Sequence, residues 1–150
     1  MKSQENPHLP VFRPGSEGLQ KMLGKLEAEV MEATWNAEAP VSVDDVREAL
    51  TRGGKNPAYT TIMTTLSRLH AKGLLSREMR GKAYYYSPRV SRRELTSNVT
   101  KQVIDSLMST FAEPAMAYFV EALGDEHPDK LDTLAQMIRQ RQEQQKKRED

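Results

Sequence analysis

Short hydroxyl side chains and positive charge come together between residues 56 and 88, a segment with a single acid, Glu78. Its centre, "YTTIMTTLSRL", carries four threonines, although Thr is only a middling helix former. A helix that is slim on one side can enter the major groove of DNA, where hydroxyls meet base edges or phosphates and the Thr methyl group suits thymine. The segment therefore indicates DNA binding, although threonines are also tolerated on surfaces that bind nothing.

A basic region is hidden within a net charge of only +1. Residues 51–93 carry ten basic and one acidic side chain, a net charge of +9, and the two flanking parts are each at −4. A focused positive segment between acidic flanks is typical of a site for a polyanion; the less specific interpretation is a solvated basic face. The side chains expected to contact the DNA backbone are Arg52, Lys55, Ser67, Arg68, Lys72, Arg77, Arg80 and Lys82.

Two helices are predicted before the basic region and a third within it. The first carries apolar residues at helical spacing up to Trp35. After a short extended piece, the second begins at Ser42, with Asp45 completing a capping box. The third lies between Asn56, which suits the N-cap, and Gly73, which suits the position after the helix.

The third predicted helix has an apolar side and a polar side. Ile62, Leu66 and Leu69 form one stripe, and at about 100° per residue the hydroxyls of Thr60 and Thr64 fall opposite to it. The next stretch, "LLSREMRGKAYYYSP", changes to the alternating period of two strands. Helix, short strand, two helices and a hairpin form the plan of a winged helix-turn-helix, so the predicted fold is mainly α with a small β-hairpin wing.

Residues 91–150 are predicted to form a helical dimerisation arm whose polar C-terminus frays. Apolar residues recur every four positions from Leu95 to Phe111, and Pro114 begins a new segment that ends at Gly124. One-sided stripes are typical of a dimerisation domain, with packing on the winged helix of the same chain as the alternative. Residues 19–90 would be the winged-helix domain and residues 1–18 a flexible tail. The expected interface residues are Leu95, Val99, Val103, Leu107, Phe111, Met116, Phe119, Val120 and Leu123.

The strings "LGKLEAEVMEATW", "AYTTIMTTLSRLHAKGLL" and "GKAYYYSP" resemble the penicillinase-repressor family, also called BlaI/MecI/CopY. The resemblance implies a homodimeric transcriptional repressor that binds a two-fold symmetric DNA operator, often near β-lactam resistance genes. It also implies a C-terminal helical dimerisation domain. Several members are inactivated when a membrane-bound sensor metalloprotease triggers cleavage within that domain.

Individual roles follow from the resemblance only at matching positions. It implies that the start of the third helix meets bases, and the base-reading candidates are Tyr59, Thr60, Thr61, Met63 and Thr64. Met63 stands where the staphylococcal repressors have a basic residue, so a different operator is expected. Their cleavage site falls near Tyr118 and Phe119, without the Asn that they carry. The copper-sensing branch has a C-terminal Cys cluster, and this chain has no Cys.

Other function classes find less support in the sequence. The three histidines, His8, His70 and His127, are isolated, so neither a catalytic nor a metal site is expected, and no cofactor. The absence of Cys, of a secretory leader and of a long apolar run favours the cytoplasm. Two alternatives stay open: a winged helix that binds an acidic protein, and a ligand-responsive regulator resembling the MarR type.

Overall fold

The computed structural model describes residues 23–150, so the tail predicted for residues 1–18 lies outside the described residues. The elements are α1 (Lys25–Asn36), α2 (Val43–Arg52), α3 (Tyr59–Ala71), β1 (Leu75–Arg80), β2 (Ala83–Pro88), α4 (Arg92–Glu126) and α5 (Pro128–Glu149). A mainly helical chain with one antiparallel hairpin confirms the predicted winged-helix class. The chain divides into two compact units, of which the first ends at Val103 and the second is Ile104–Asp150.

Local signals account for most helix ends in the first unit. The Asp45 N–H donates to Ser42 Oγ at 3.2 Å and the Ser42 N–H donates to the Asp45 carboxylate at 2.8 Å, which confirms the capping box. Gly73 follows α3 with φ 79°, a conformation that favours glycine. Asn56, however, is not the N-cap of α3. The cap is Ala58, two residues later, which offers no side-chain hydrogen bond, and the helix starts at Tyr59.

The hairpin is buried at its base, where it meets the core, and exposed towards its turn. Gly81 turns the chain with φ 63°, and the register pairs Arg77 with Tyr86 and Met79 with Tyr84. Because side chains alternate along a strand, Tyr84 and Tyr86 share a face and Tyr85 takes the other, as predicted. Tyr86 is 2% exposed, and its backbone pairs with Val41, which is the short extended piece before α2.

The core of the first unit includes the start of α4. Leu95 and Val99 are 3% and 4% exposed and belong to the same buried cluster as Ile62 and Leu66 of α3; Val103 packs against that cluster. The assignment of Leu95 and Val99 to a dimer interface was therefore wrong, since packing within one chain already covers both side chains. This packing also explains why the first unit continues to Val103, beyond the boundary at residue 90 expected from the sequence.

The second unit consists of helix only and buries little. None of the side chains in residues 104–150 is fully buried. Within α4 the backbone leaves the helical region at Phe111 (φ −129°, ψ 36°), three residues before Pro114, because a proline ring clashes with the preceding turn and removes one hydrogen bond. The helix then continues to Glu126 through Gly124, which does not end it as expected.

The polar C-terminus, which is expected from the sequence to fray, is helical in the structure. Helix α5 continues to Glu149. Its last turns are rich in Gln, Glu, Lys and Arg, which are good helix formers. Three cations, Lys146, Lys147 and Arg148, lie in the final turn, where the helix dipole favours positive charge.

Candidate nucleic-acid interface

The outer side of α3 carries the groups that the sequence suggested for base reading. Ile62 and Leu66 are fully buried, and this orientation leaves Thr60, Thr61 and Thr64 exposed. The fourth threonine, Thr65, is only 6% exposed and bonds back to the carbonyl of Thr61, so it is part of the packed side.

The Thr64 hydroxyl on this face uses its hydrogen within the helix. Thr64 Oγ1 donates to the carbonyl of Thr60 at 2.9 Å, so its oxygen lone pairs point outward as acceptors and its methyl group is available for apolar contact. Tyr59 and Met63 flank the hydroxyls and are 43% and 42% exposed. The face therefore combines hydrogen-bond acceptors with apolar groups, which can meet the amino donors of cytosine and adenine and the methyl group of thymine in the major groove.

The start of α1 borders this face. A shallow groove of about 530 Å³ lies between the two helices, and the threonines and Arg68 of α3 line one side of it. Lys25 and Glu27 line the other side. The sequence analysis missed both residues, and no local pattern could have identified them, because their proximity to α3 depends on how the helices pack.

Three of the expected phosphate-binding cations already have an acidic partner. Lys72 Nζ contacts both carboxylate oxygens of Glu27, at 2.7 and 2.9 Å. Ion pairs also join Lys55 to Glu29 and Arg80 to Glu78. The remaining expected backbone residues lie in α2, in α3 and on the hairpin; these are Arg52, Ser67, Arg68, Arg77 and Lys82.

Arginines of the hairpin lie against its tyrosines. The Arg77 guanidinium is 4.1 Å from the centre of the Tyr84 ring, and that of Arg80 is 5.1 Å from the Tyr85 ring. These rings are on opposite faces of the hairpin, and such cation–π contacts restrain the long side chains without neutralising their charge. Arg77 therefore presents positive charge on the Tyr84 face, whereas Arg80 on the other face is paired with Glu78.

A third residue that the sequence analysis missed, Arg47, connects α2 to the beginning of α3. Its Nε donates to the carbonyl of Pro57 at 3.3 Å, immediately before the cap residue Ala58. Because that cap has no side-chain acceptor, the first N–H groups of α3 are open. Arg47 thus helps to fix the turn from which the outward face of α3 begins.

The surroundings of His70, at the end of α3, favour its neutral form. Burial lowers the pKa of His70 below its usual value, and the positive charges of Arg77 and Arg89 lower it further. In residues 23–150, no three His, Asp or Glu side chains come together as ligands for a metal ion. His70 therefore lies next to the basic surface, and we assign it a structural role.

Comparison with known proteins decides the family. The family model described as "Penicillinase repressor" matches residues 23–140. This chain belongs to the penicillinase repressor family. The proteins called "Transcriptional regulator BlaI" from two strains of Mycobacterium tuberculosis are each 35% identical to it over 113 residues, covering 73% of this chain and 79% of theirs.

Membership in the penicillinase repressor family makes the chain a transcriptional repressor, which is a DNA-binding regulator and not an enzyme. The family match extends to residue 140, so it includes most of α5 as well as the winged helix. In the described part of the chain, no helix has the length and apolarity needed to span a bilayer.

Proposed function

We propose that this repressor acts as a homodimer that inserts α3 of each chain into the major groove of a two-fold symmetric operator. The observation that carries the proposal is the outward face of α3, where Thr60, Thr61, Met63 and Thr64 are exposed together. Tyr59 flanks them at the open start of the helix. Base edges would meet this face, and phosphates would meet the cations beside it.

Dimerisation is supported by the composition of the second unit. Large apolar side chains lie exposed on its two helices; among them are Leu107, Phe111, Met116, Phe119 and Val120, which are 40% to 57% exposed. Leu123 is half-buried. Burial of such side chains stabilises by roughly 1.5–3 kcal/mol each before entropy is counted, so a second copy of this unit is the natural cover for this surface.

Relief of repression is proposed to act on the same unit, by proteolysis or by another signal that separates the helices. Tyr118 is 71% exposed and its neighbour Phe119 50%, and the helix is interrupted nearby at Phe111. A membrane-bound sensor metalloprotease pathway is the partner that the family resemblance suggests. Cleavage between Tyr118 and Phe119 would leave the DNA-reading helix intact and remove much of the dimer surface.

Replacement of Lys82 by Ala should weaken binding to every DNA sequence by a similar factor. Each phosphate contact releases condensed counterion, so the slope of log K against log salt should become shallower by about 0.9. Titration of one operator and one scrambled duplex over a salt series measures both quantities. Lys130→Ala, an equal change of charge in α5, is the matched control and should alter neither slope. A wild-type protein whose affinity does not depend on salt would contradict DNA binding through this surface.

Replacement of Met63 by Arg should change which operator is preferred. An apolar Met favours a thymine methyl group or fills space, whereas Arg forms two hydrogen bonds to guanine and discriminates by about 1–3 kcal/mol. Selection from a random DNA pool should therefore enrich a motif with a new guanine in each half-site. If both proteins enrich the same motif, Met63 does not face the bases.

A further inference from the structure

Glu27 is an acid at the edge of a surface that the proposed function brings against DNA. It lies in the first turn of α1 and lines the groove beside Thr60, Thr61 and Thr64. A carboxylate there repels phosphates, and the Coulomb energy is larger near a protein surface than in bulk water. An acid at this place therefore opposes the binding that the surrounding cations favour.

The partner of Glu27 is a cation that would otherwise be available to DNA. Lys72 is the C-cap of α3, and its Nζ is within 2.7 and 2.9 Å of the two Glu27 oxygens. The side chains are 29% and 16% exposed for Lys72 and Glu27, so solvent screens this pair less than a surface pair. As long as it persists, Lys72 is unavailable to a phosphate.

A purely structural reason for the pair also exists. An acid in a first helical turn and a cation at a helix C-terminus each interact favourably with the helix dipole, and the pair connects α1 to α3. That role predicts an effect on the stability of the fold. It predicts no difference between one DNA sequence and another, so the two explanations can be separated by experiment.

We propose that Glu27 is a specificity-determining residue: it withholds Lys72 from phosphates and thereby lowers the affinity for DNA of any sequence. Binding to non-specific DNA is almost entirely electrostatic, and a complex without fixed register can place any free cation of the α3 surface against a phosphate. In the operator complex, base contacts set the register, so a freed Lys72 contributes less. The inference rests on the proposed DNA binding through α3.

The test replaces Glu27 by Gln, which keeps the size of the side chain and an acceptor for Lys72 but removes the charge. One freed phosphate contact should raise the affinity for a scrambled duplex by about 3- to 10-fold near 0.1 M salt and steepen its salt slope by about 0.9. Affinity for the operator selected by the wild-type protein should rise less, so the ratio of operator to scrambled affinity falls. Fluorescence anisotropy with both duplexes measures the two affinities.

Two further variants isolate the cause. Glu32→Gln is the matched control, because it removes the same charge from α1 but releases Arg92, which does not line the groove; it should leave the ratio unchanged. Lys72→Met leaves Glu27 without its cation and should raise the affinity for neither duplex, and it should remove most of the gain when combined with Glu27→Gln.

Each contrary result has a separate meaning. Equal gains on both duplexes, no gain at all, or the same response in Glu32→Gln would overturn the role of Glu27. A lower melting temperature with unchanged DNA affinities would leave the pair a structural one and also overturn the inference. The absence of salt-dependent DNA binding in the wild-type protein would instead refute the proposed function on which the inference rests.

Discussion

A chain that ends at Val103 should fold, stay monomeric and lose most of its affinity for a palindromic operator. It retains the whole first unit, including Leu95 and Val99, which are buried in its core. Without the second unit, two winged helices bind their half-sites independently. Linking two binding events typically strengthens binding by about 100- to 10,000-fold, and a loss of that order is expected for the palindrome. Sedimentation and DNA titration measure the two properties.

Two comparisons make this truncation informative. The shortened chain should bind one isolated half-site as tightly as it binds the palindrome. A chain that ends at Val90 would also lack Leu95 and Val99 and should unfold at lower denaturant concentration than the chain ending at Val103. If the chain ending at Val103 dimerises and holds the palindrome as tightly as the full chain, the second unit is not the dimerisation domain.

Replacement of Leu95 by Ala should destabilise the first unit by about 2–5 kcal/mol, the range for removing a large buried apolar side chain and leaving a cavity. Leu95 is 3% exposed and packs within the core of its own chain. Denaturant unfolding of the chain ending at Val103 measures this loss without interference from self-association.

Leu107→Ala is the matched control, because Leu107 belongs to the same apolar stripe, whose members recur every four positions, but is 40% exposed. In the full chain it should weaken self-association and leave the unfolding of the first unit nearly unchanged. Effects of Leu95→Ala that disappear on raising the protein concentration would show instead that Leu95 acts between chains.

The sequence alone determined the features that depend on neighbouring residues. Helical spacing placed Ile62, Leu66 and Leu69 inward, and the capping box at Ser42 and the turn at Gly73 lie where local chemistry predicts them. The alternating pattern likewise predicted the two strands of the hairpin. Backbone conformation and side-chain direction within one element follow from short-range geometry, which periodicity records directly.

Tertiary structure decided which residues lie on the same surface and which apolar side chains are covered by other elements. The apolar stripe from Leu95 to Phe111 has one period throughout, yet Leu95 is buried by the first unit and Phe111 is 57% exposed. Periodicity shows which side of a helix is apolar, but it does not show what packs against that side. The ion pair of Glu27 and Lys72 joins residues 45 positions apart. Only the packing of α1 against α3 brings these charges together, and so only the fold reveals an acid beside the helix that we propose to read DNA.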